Sequence, residues 1–463
     1  MKRKLLEEMN FHPVLEAYEG VAQPCEGIKT ARETFATSEA ADVKTTDFDG
    51  SRAADVIGDR SVADIRADFP IFAAGDPENP ARKTIWLDNA STTQKPRSVI
   101  DREANFYARE NSNVKRGAYR LASNADKLYE DARSSVARFI GAKPQNLIFT
   151  RGATEGINLA AQATLRPLIK RGDEIIVTIL EHHANIVPYQ MIAAEKGAIL
   201  RVAPVRSDGQ IDLAKYKKLF SPRAKFAAIA HISNALGTIL PIAEMAEIAR
   251  LCGAKVLIDA AQSISHIPID VRKIGADILV FSGHKVYAPF GIGALWANDE
   301  TLELAKPYHG GGNMIADVTF TKTLYQKAPN KFEAGTPNIA GAIALAAALE
   351  YIGVIGMKNI ARYESDLTRF AISELSKIDG LRIIGNASDR AGAISFVMER
   401  FSIEEIAGFL NERDICLRAG HHCAQPILRF FGLEATLRAS LGLYNTVSEI
   451  EALASALRDL AKN

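Results

Sequence analysis

Three short runs in this chain combine residue types that can do chemistry with positions that would bring them together. Lys285 ends Ser282-Gly-His284-Lys285, directly after the apolar segment Asp277–Phe281. Asp259 opens Asp259-Ala-Ala-Gln262, directly after the apolar segment Lys255–Ile258. A lysine amine that has lost its proton can form a Schiff base with a carbonyl. A carboxylate at the end of a buried strand needs something cationic to meet it. The two residues lie 26 positions apart, one strand–connection–strand unit, which puts them at the same edge of neighbouring or near-neighbouring strands. The third run, Arg151-Gly-Ala-Thr-Glu-Gly-Ile-Asn158, follows the strand-like Gln145–Thr150. A glycine turn opening a helix offers free backbone N–H groups and the positive helix end to a phosphate or carboxylate, and Thr154 can add a hydroxyl.

Each part alone has an ordinary reading: an ion pair for Asp259 and Lys285, a capped turn for Gly152–Thr154. Together they are what a pyridoxal phosphate site needs, namely a lysine for the aldehyde, an aspartate for the ring nitrogen and a cradle for the phosphate. Other strand ends add polar groups. His182, in Glu181-His182-His183-Ala-Asn185, can stack on a planar ligand or shuttle a proton. Asn234 is a candidate hydrogen-bond partner for a ligand. Cys423 follows His421 and His422 in a loop-like segment with Arg418, where nearby histidine and arginine would favour the thiolate. No metal site is expected: adjacent histidines point in different directions, and His-His-Cys lacks further partners.

The elements that must position these residues alternate. Strands are expected at Thr84–Asp88, Gln145–Thr150, Glu174–Ile179, Ile199–Ala203, Ala227–His231, Lys255–Ile258 and Asp277–Phe281. Helices are expected at Ser61–Phe69, Thr154–Ala163, Ile186–Lys196 and Ile242–Cys252. The strands are continuous apolar runs, as in a mostly parallel sheet covered on both faces. Such alternation defines an α/β domain. From about residue 340 a long buried helix leads into a smaller α+β segment.

The motifs resemble those of the class V aminotransferase-like, fold type I pyridoxal phosphate enzymes, and among them the cysteine desulfurases of the SufS type, group II. The resemblance covers about residues 62–463. It rests on the runs above, on Glu181-His-His-Ala-Asn-Ile-Val-Pro188, and on Phe332-Glu-Ala-Gly-Thr-Pro-Asn338, Arg418-Ala-Gly-His-His-Cys-Ala424 and Arg438-Ala-Ser-Leu441. It implies a large domain with a mostly parallel seven-stranded sheet over residues 83–340 and a small domain from 62–82 and 341–463 that carries the catalytic cysteine loop. It implies Lys285 as the Schiff-base lysine, His182 stacked on the ring, Asp259 on the ring nitrogen and Gln262 on the phenolic oxygen. Thr154, Ser282 and His284 would bind the phosphate, with Thr336 contributing from the other subunit of a homodimer. Asn234 and Arg438 would hold the substrate carboxylate, with Arg418 and Arg116 also on the substrate side. Cys423 would accept sulfur from L-cysteine as a persulfide, for delivery to a SufE- or SufU-like acceptor or a reductant. Selenocysteine lyase, an aminotransferase or epimerase of the same fold, and a non-enzymatic sulfur-carrying scaffold are the alternatives. Where many relatives carry His-Arg-Gly-x-His, this chain has Lys115-Arg116-Gly-Ala-Tyr119, so the sulfur-transfer route departs from the family pattern.

Composition bounds the rest. The chain has 463 residues, 47% hydrophobic and 24% charged, with a net charge of +1. That excludes collagen-like and wholly disordered classes and gives no global reason to bind nucleic acid. Four cysteines are too few for a disulfide framework, so free thiols and a cytoplasmic setting are expected. No secretory or membrane-spanning segment is apparent. Residues 1–60 hold 12 acidic and 8 basic residues and show little periodicity. A mobile acidic extension over 1–61 is expected, either a dispensable tail or, as its resemblance in layout to desulfurases with extended N-termini implies, a docking segment for an encapsulin-like shell through Leu5, Leu6, Phe11, Val14, Leu15, Tyr18 and Val21.

Overall fold

The computed structural model describes residues 55–74 and 83–462. Most of the expected N-terminal extension, with its apolar residues between 5 and 21, lies outside the described residues. Its last residues do not belong to a tail: Val56–Ile57 pairs with Arg60–Ser61, and Ile57 is buried. The folded region therefore starts before residue 61. Ser61 caps the following helix, Val62–Ala67, by accepting the Asp64 N–H.

Seven strands form the central sheet: β1 Leu147–Thr150, β2 Glu174–Thr178, β3 Ile199–Ala203, β4 Ala224–Ala230, β5 Lys255–Asp259, β6 Ile278–Ser282 and β7 Gly293–Ala297. Their spatial order is β1-β7-β6-β5-β4-β2-β3. All neighbours are parallel except β7, which runs antiparallel between β1 and β6. The expected mostly parallel seven-stranded sheet is present, but one member differs. Thr84–Asp88, expected as a strand beside the rest of the large domain, contributes only Ile85–Trp86, which pairs with Ile415–Cys416 of the C-terminal region. The seventh strand is β7, whose Gly-Ala-Leu-Trp-Ala holds two bulky apolar residues.

Both faces of the sheet are covered, so its strands are buried throughout, apart from parts of the edge strand β3 and the partly exposed Lys225 and Lys255. Packing is close at the cradle. A Cβ on Gly293 of β7 would meet the Phe281 carbonyl at 2.5 Å and Gly152 Cα at 2.6 Å. Only glycine lets β7 pass under the turn that opens the helix Ala153–Ala160.

The second unit holds an antiparallel sheet of β8 Leu381–Ile383, β9 Ala393–Met398, β10 Arg418–Gly420 and β11 Thr436–Ser440, in the order β8-β9-β11-β10. The helix Ile339–Ile355 is largely buried, as expected, but packs against Arg97–Asn105 and Arg120–Phe139 of the large unit. The chain turns by 75° only after Ile355, at Gly356, whose φ of +92° suits glycine. The join expected at 340 is thus nearer 356. No single helix among the described residues is long and apolar enough to cross a membrane. Among the described residues, Cys416 and Cys423 are free.

Candidate active site

The C-terminal ends of β1, β2, β4, β5 and β6 open into one cavity of about 210 Å³. This is where an open α/β sheet binds its ligand. Thr154, His182, Asn234, Asp259, Gln262, Ser282, His284, Lys285, Arg418, Cys423 and Arg438 all line it. Of the expected residues, Thr336 and Arg116 do not: both are exposed and outside this cavity.

Asp259 ends β5, and Lys285 sits three residues beyond β6, its parallel neighbour. Burial lowers the Lys285 pKa, Asp259 works against that shift, and Arg438 adds to it. The site therefore favours the free amine that Schiff-base chemistry needs. Burial raises the Asp259 pKa, while the Ala261 N–H at 2.9 Å and Lys285 oppose the shift.

At the turn expected to hold a phosphate, the Ala153 N–H donates to Ser282 Oγ at 2.8 Å, which leaves the Ser282 hydroxyl proton for a ligand. His284 Nδ1 is buried without a partner. Burial, Lys285 and Lys95 hold the His284 pKa down to about 4, so the ring is a neutral donor at physiological pH. Gln262 gives one amide proton to the Ala90 carbonyl at 2.9 Å and retains the other.

His182 accepts the Ala184 N–H on Nδ1 at 3.0 Å. Burial, then Lys285, lowers its pKa to about 3, so its ring is neutral with the proton on Nε2. Below it, Glu181 is fully buried and accepts from Thr178 Oγ1 at 2.7 Å, Asn185 Nδ2 at 2.6 Å and the Ala230 N–H at 2.9 Å. It ties the His182 turn to β4. The sequence displayed Glu181 beside the histidines but assigned it no work.

Arg438 is 1% exposed. Its guanidinium donates to the Asn234 carbonyl at 2.8 Å, Asp88 Oδ1 at 3.0 Å and Ser91 Oγ at 2.8 Å, and its Nε has no partner. Burial lowers its pKa to about 10. Arg418, its cross-strand partner, also donates to Ser91 Oγ, at 2.8 Å. Asn234 uses Nδ2 on the His422 carbonyl at 2.6 Å, while its Oδ1 is buried and unpartnered.

The Cys423 loop closes the cavity. His422 and Cys423 both have φ of +53°, a left-handed conformation that non-glycine residues rarely hold. His422 is fixed by Nε2 on Thr436 Oγ1 at 2.8 Å. The Cys423 carbonyl accepts the His183 N–H at 2.8 Å. His183, His421 and Cys423 place one ligand-type atom each within 4.8 Å of one another. The partner that the sequence did not supply for His-His-Cys is thus His183, brought from the turn after β2.

The unpartnered His284 Nδ1 and Arg438 Nε, together with the Ala153–Ser282 cradle, fit an anionic, phosphate-bearing group. Comparison with known proteins agrees. Residues 85–453 match the family model of aminotransferase class-V, and the chain belongs to that family of pyridoxal phosphate enzymes. Its relatives are cysteine desulfurases. A probable cysteine desulfurase of Mycolicibacterium paratuberculosis is 51% identical over 87% of this chain and 58% of its own length. A cysteine desulfurase of Synechococcus elongatus is 51% identical over 88% and 65%. This chain therefore spans less than two thirds of those relatives. An Escherichia coli cysteine desulfurase is 43% identical over 86% of this chain and 98% of its own. The apo cysteine desulfurase of Thermococcus onnurineus superposes with a TM-score of 0.83 at 36% identity, covering 88% of this chain and all of that one.

Proposed function

We propose that this protein is a cysteine desulfurase that converts L-cysteine to L-alanine and takes the sulfur onto Cys423. The observation that carries the reading is that Lys285 and Cys423 line one cavity with two convergent guanidiniums. Bound pyridoxal phosphate would supply an electron sink for the substrate Cα. Lys285 would hold it, Asp259 would meet its ring nitrogen, and Thr154, Ser282 and His284 would meet its phosphate. Arg438 and Arg418 orient the substrate carboxylate in a planar fork geometry. Lys285, deprotonated through burial, takes the Cα proton. The Cys423 thiolate attacks the substrate sulfur: an S–S bond forms, the substrate C–S bond breaks, and its electron pair passes to the substrate carbon. The resulting persulfide is released by a thiol acceptor or reductant, which is oxidised in turn.

The test is alanine and sulfide production from L-cysteine, with and without reductant, by wild type and Cys423→Ala. Loss of both products in the variant supports the reading. Full alanine and sulfide production in the variant would remove Cys423 as the acceptor, absence of both from wild type would point to an aminotransferase or epimerase, and a strong preference for selenocysteine would point to a lyase.

The same reading extends to assembly. A homodimer would let the exposed Thr336 reach the phosphate of the second copy, with Arg116 also outside its own cavity. A SufE- or SufU-like protein would collect the sulfur in the cytoplasm, and residues 1–60 would dock to an encapsulin-like shell. Co-purification of the shell with full-length protein but not with a form lacking residues 1–54 checks the last point.

A further inference from the structure

His183 and His421 flank Cys423 from different parts of the chain and have the residue types of a metal site. Their hydrogen bonds argue for something else. The Cys423 N–H donates to His421 Nδ1 at 3.0 Å, and the Gln425 N–H donates to His183 Nε2 at 3.2 Å. A neutral imidazole has one lone pair and one N–H. Both lone pairs are therefore committed to backbone, which leaves the protons on His421 Nε2 and His183 Nδ1. Burial, and after it His421 and Arg429, lower the His183 pKa, so that ring stays neutral. The two rings lie 5.6 Å apart at a tilt of 32°.

We propose that His183 and His421 are positioning residues that cradle the sulfur of Cys423 as an anion between two neutral ring N–H groups. The proposal rests on Cys423 being the sulfur acceptor. Each ring does two things at once. Its acceptor nitrogen pins the strained loop through the Cys423 and Gln425 N–H groups, and its donor nitrogen is left for the thiolate and then for the terminal sulfur of the persulfide. Arg438 already places positive charge near this sulfur from the cavity side. Neutral donors on the outer side would steady the anion without holding it as a second ion pair would, which suits a sulfur that must leave.

The test follows alkylation of Cys423 by iodoacetamide in the cofactor-loaded protein at pH 7, read by peptide mass, with Cys416 as internal reference. It requires no turnover, so failure of the desulfurase reading would show separately, as normal alkylation without sulfide. His183→Ala and His421→Ala should each slow modification of Cys423 about fivefold or more, as expected for loss of a hydrogen bond to an anion at a partly exposed site. His183→Asn and His421→Gln, which return an N–H near the Nδ1 and Nε2 positions, should restore most of the rate. Unchanged rates in the alanine variants would overturn the proposal. So would protection of Cys423 by micromolar Zn²⁺ that depends on both histidines, because the rings would then be acting through lone pairs. His421 is exposed, so its variants test the donor role even if those of His183 fail to fold.

Discussion

Arg418 and Arg438 stand directly opposite each other on β10 and β11, and both donate to the hydroxyl of Ser91. Like charges in that register repel. Asp88 compensates Arg438 alone, at 3.0 Å and partly exposed. Both line the cavity, and on the proposed function the substrate carboxylate would offset their repulsion. Arg438→Lys, which keeps the charge but removes the fork, should raise KM for L-cysteine about tenfold or more with a smaller change in kcat. Steady-state kinetics decide this, and an unchanged KM would remove Arg438 from substrate binding.

Cys423→Ser should lower sulfide release by more than about 100-fold, since an alcohol is a far poorer nucleophile toward sulfur. Cofactor binding, read from visible absorbance, should be retained because Cys423 belongs to the loop and not to the cradle. Sulfide release at the wild-type rate would eliminate Cys423 as the acceptor.

Gly293→Ala should destabilise the protein by about 2 kcal/mol or more, because the methyl group would overlap backbone atoms on two sides. Thermal unfolding should show a lower midpoint and weakened cofactor retention. Gly310→Ala, where a Cβ would meet nothing within 4 Å, is the control that should leave both unchanged.

His231 is buried with Nδ1 unpartnered, and burial lowers its pKa to about 4. The unfolded chain binds this proton near pH 6.5, whereas the folded chain resists it down to about 4. Stability from this group is therefore present above pH 6.5 and is lost as pH falls through that window. Replacing it with Gln should reduce the loss of stability between pH 7 and pH 5 by up to about 2 kcal/mol relative to wild type. Urea unfolding at the two pH values measures the difference, and identical pH dependence would contradict the burial argument.

Much of the site was legible because strand ends mark themselves. Apolar runs of four to six residues ending in Asp259, His182 or the Ser282–Lys285 turn announce both the sheet and its working edge. What was not legible came from distance. The role of His183 depends on a loop about 240 residues later, and no local pattern shows that it meets the cysteine loop. β7 escaped notice because Gly293, needed for close passage beneath Gly152, and two alanines leave only Leu295 and Trp296 to carry the apolar signal. Trp86 and Cys416 pair in parallel across the whole domain, a contact that neither segment reveals alone.

That last pairing sets an order of construction. Asp88 and Ser91, which seat Arg438, emerge from the ribosome long before their partner does. At about 5–20 residues per second, the 350 residues between Asp88 and Arg438 take roughly 20–70 seconds to synthesise. The phosphate cradle and Lys285 are complete well before Arg418, Cys423 and Arg438 exist. On the proposed function, a nascent chain would lack the residues that grip the amino acid and accept its sulfur until these last elements are made. Reactive sulfur would then be generated only once the C-terminal elements are in place.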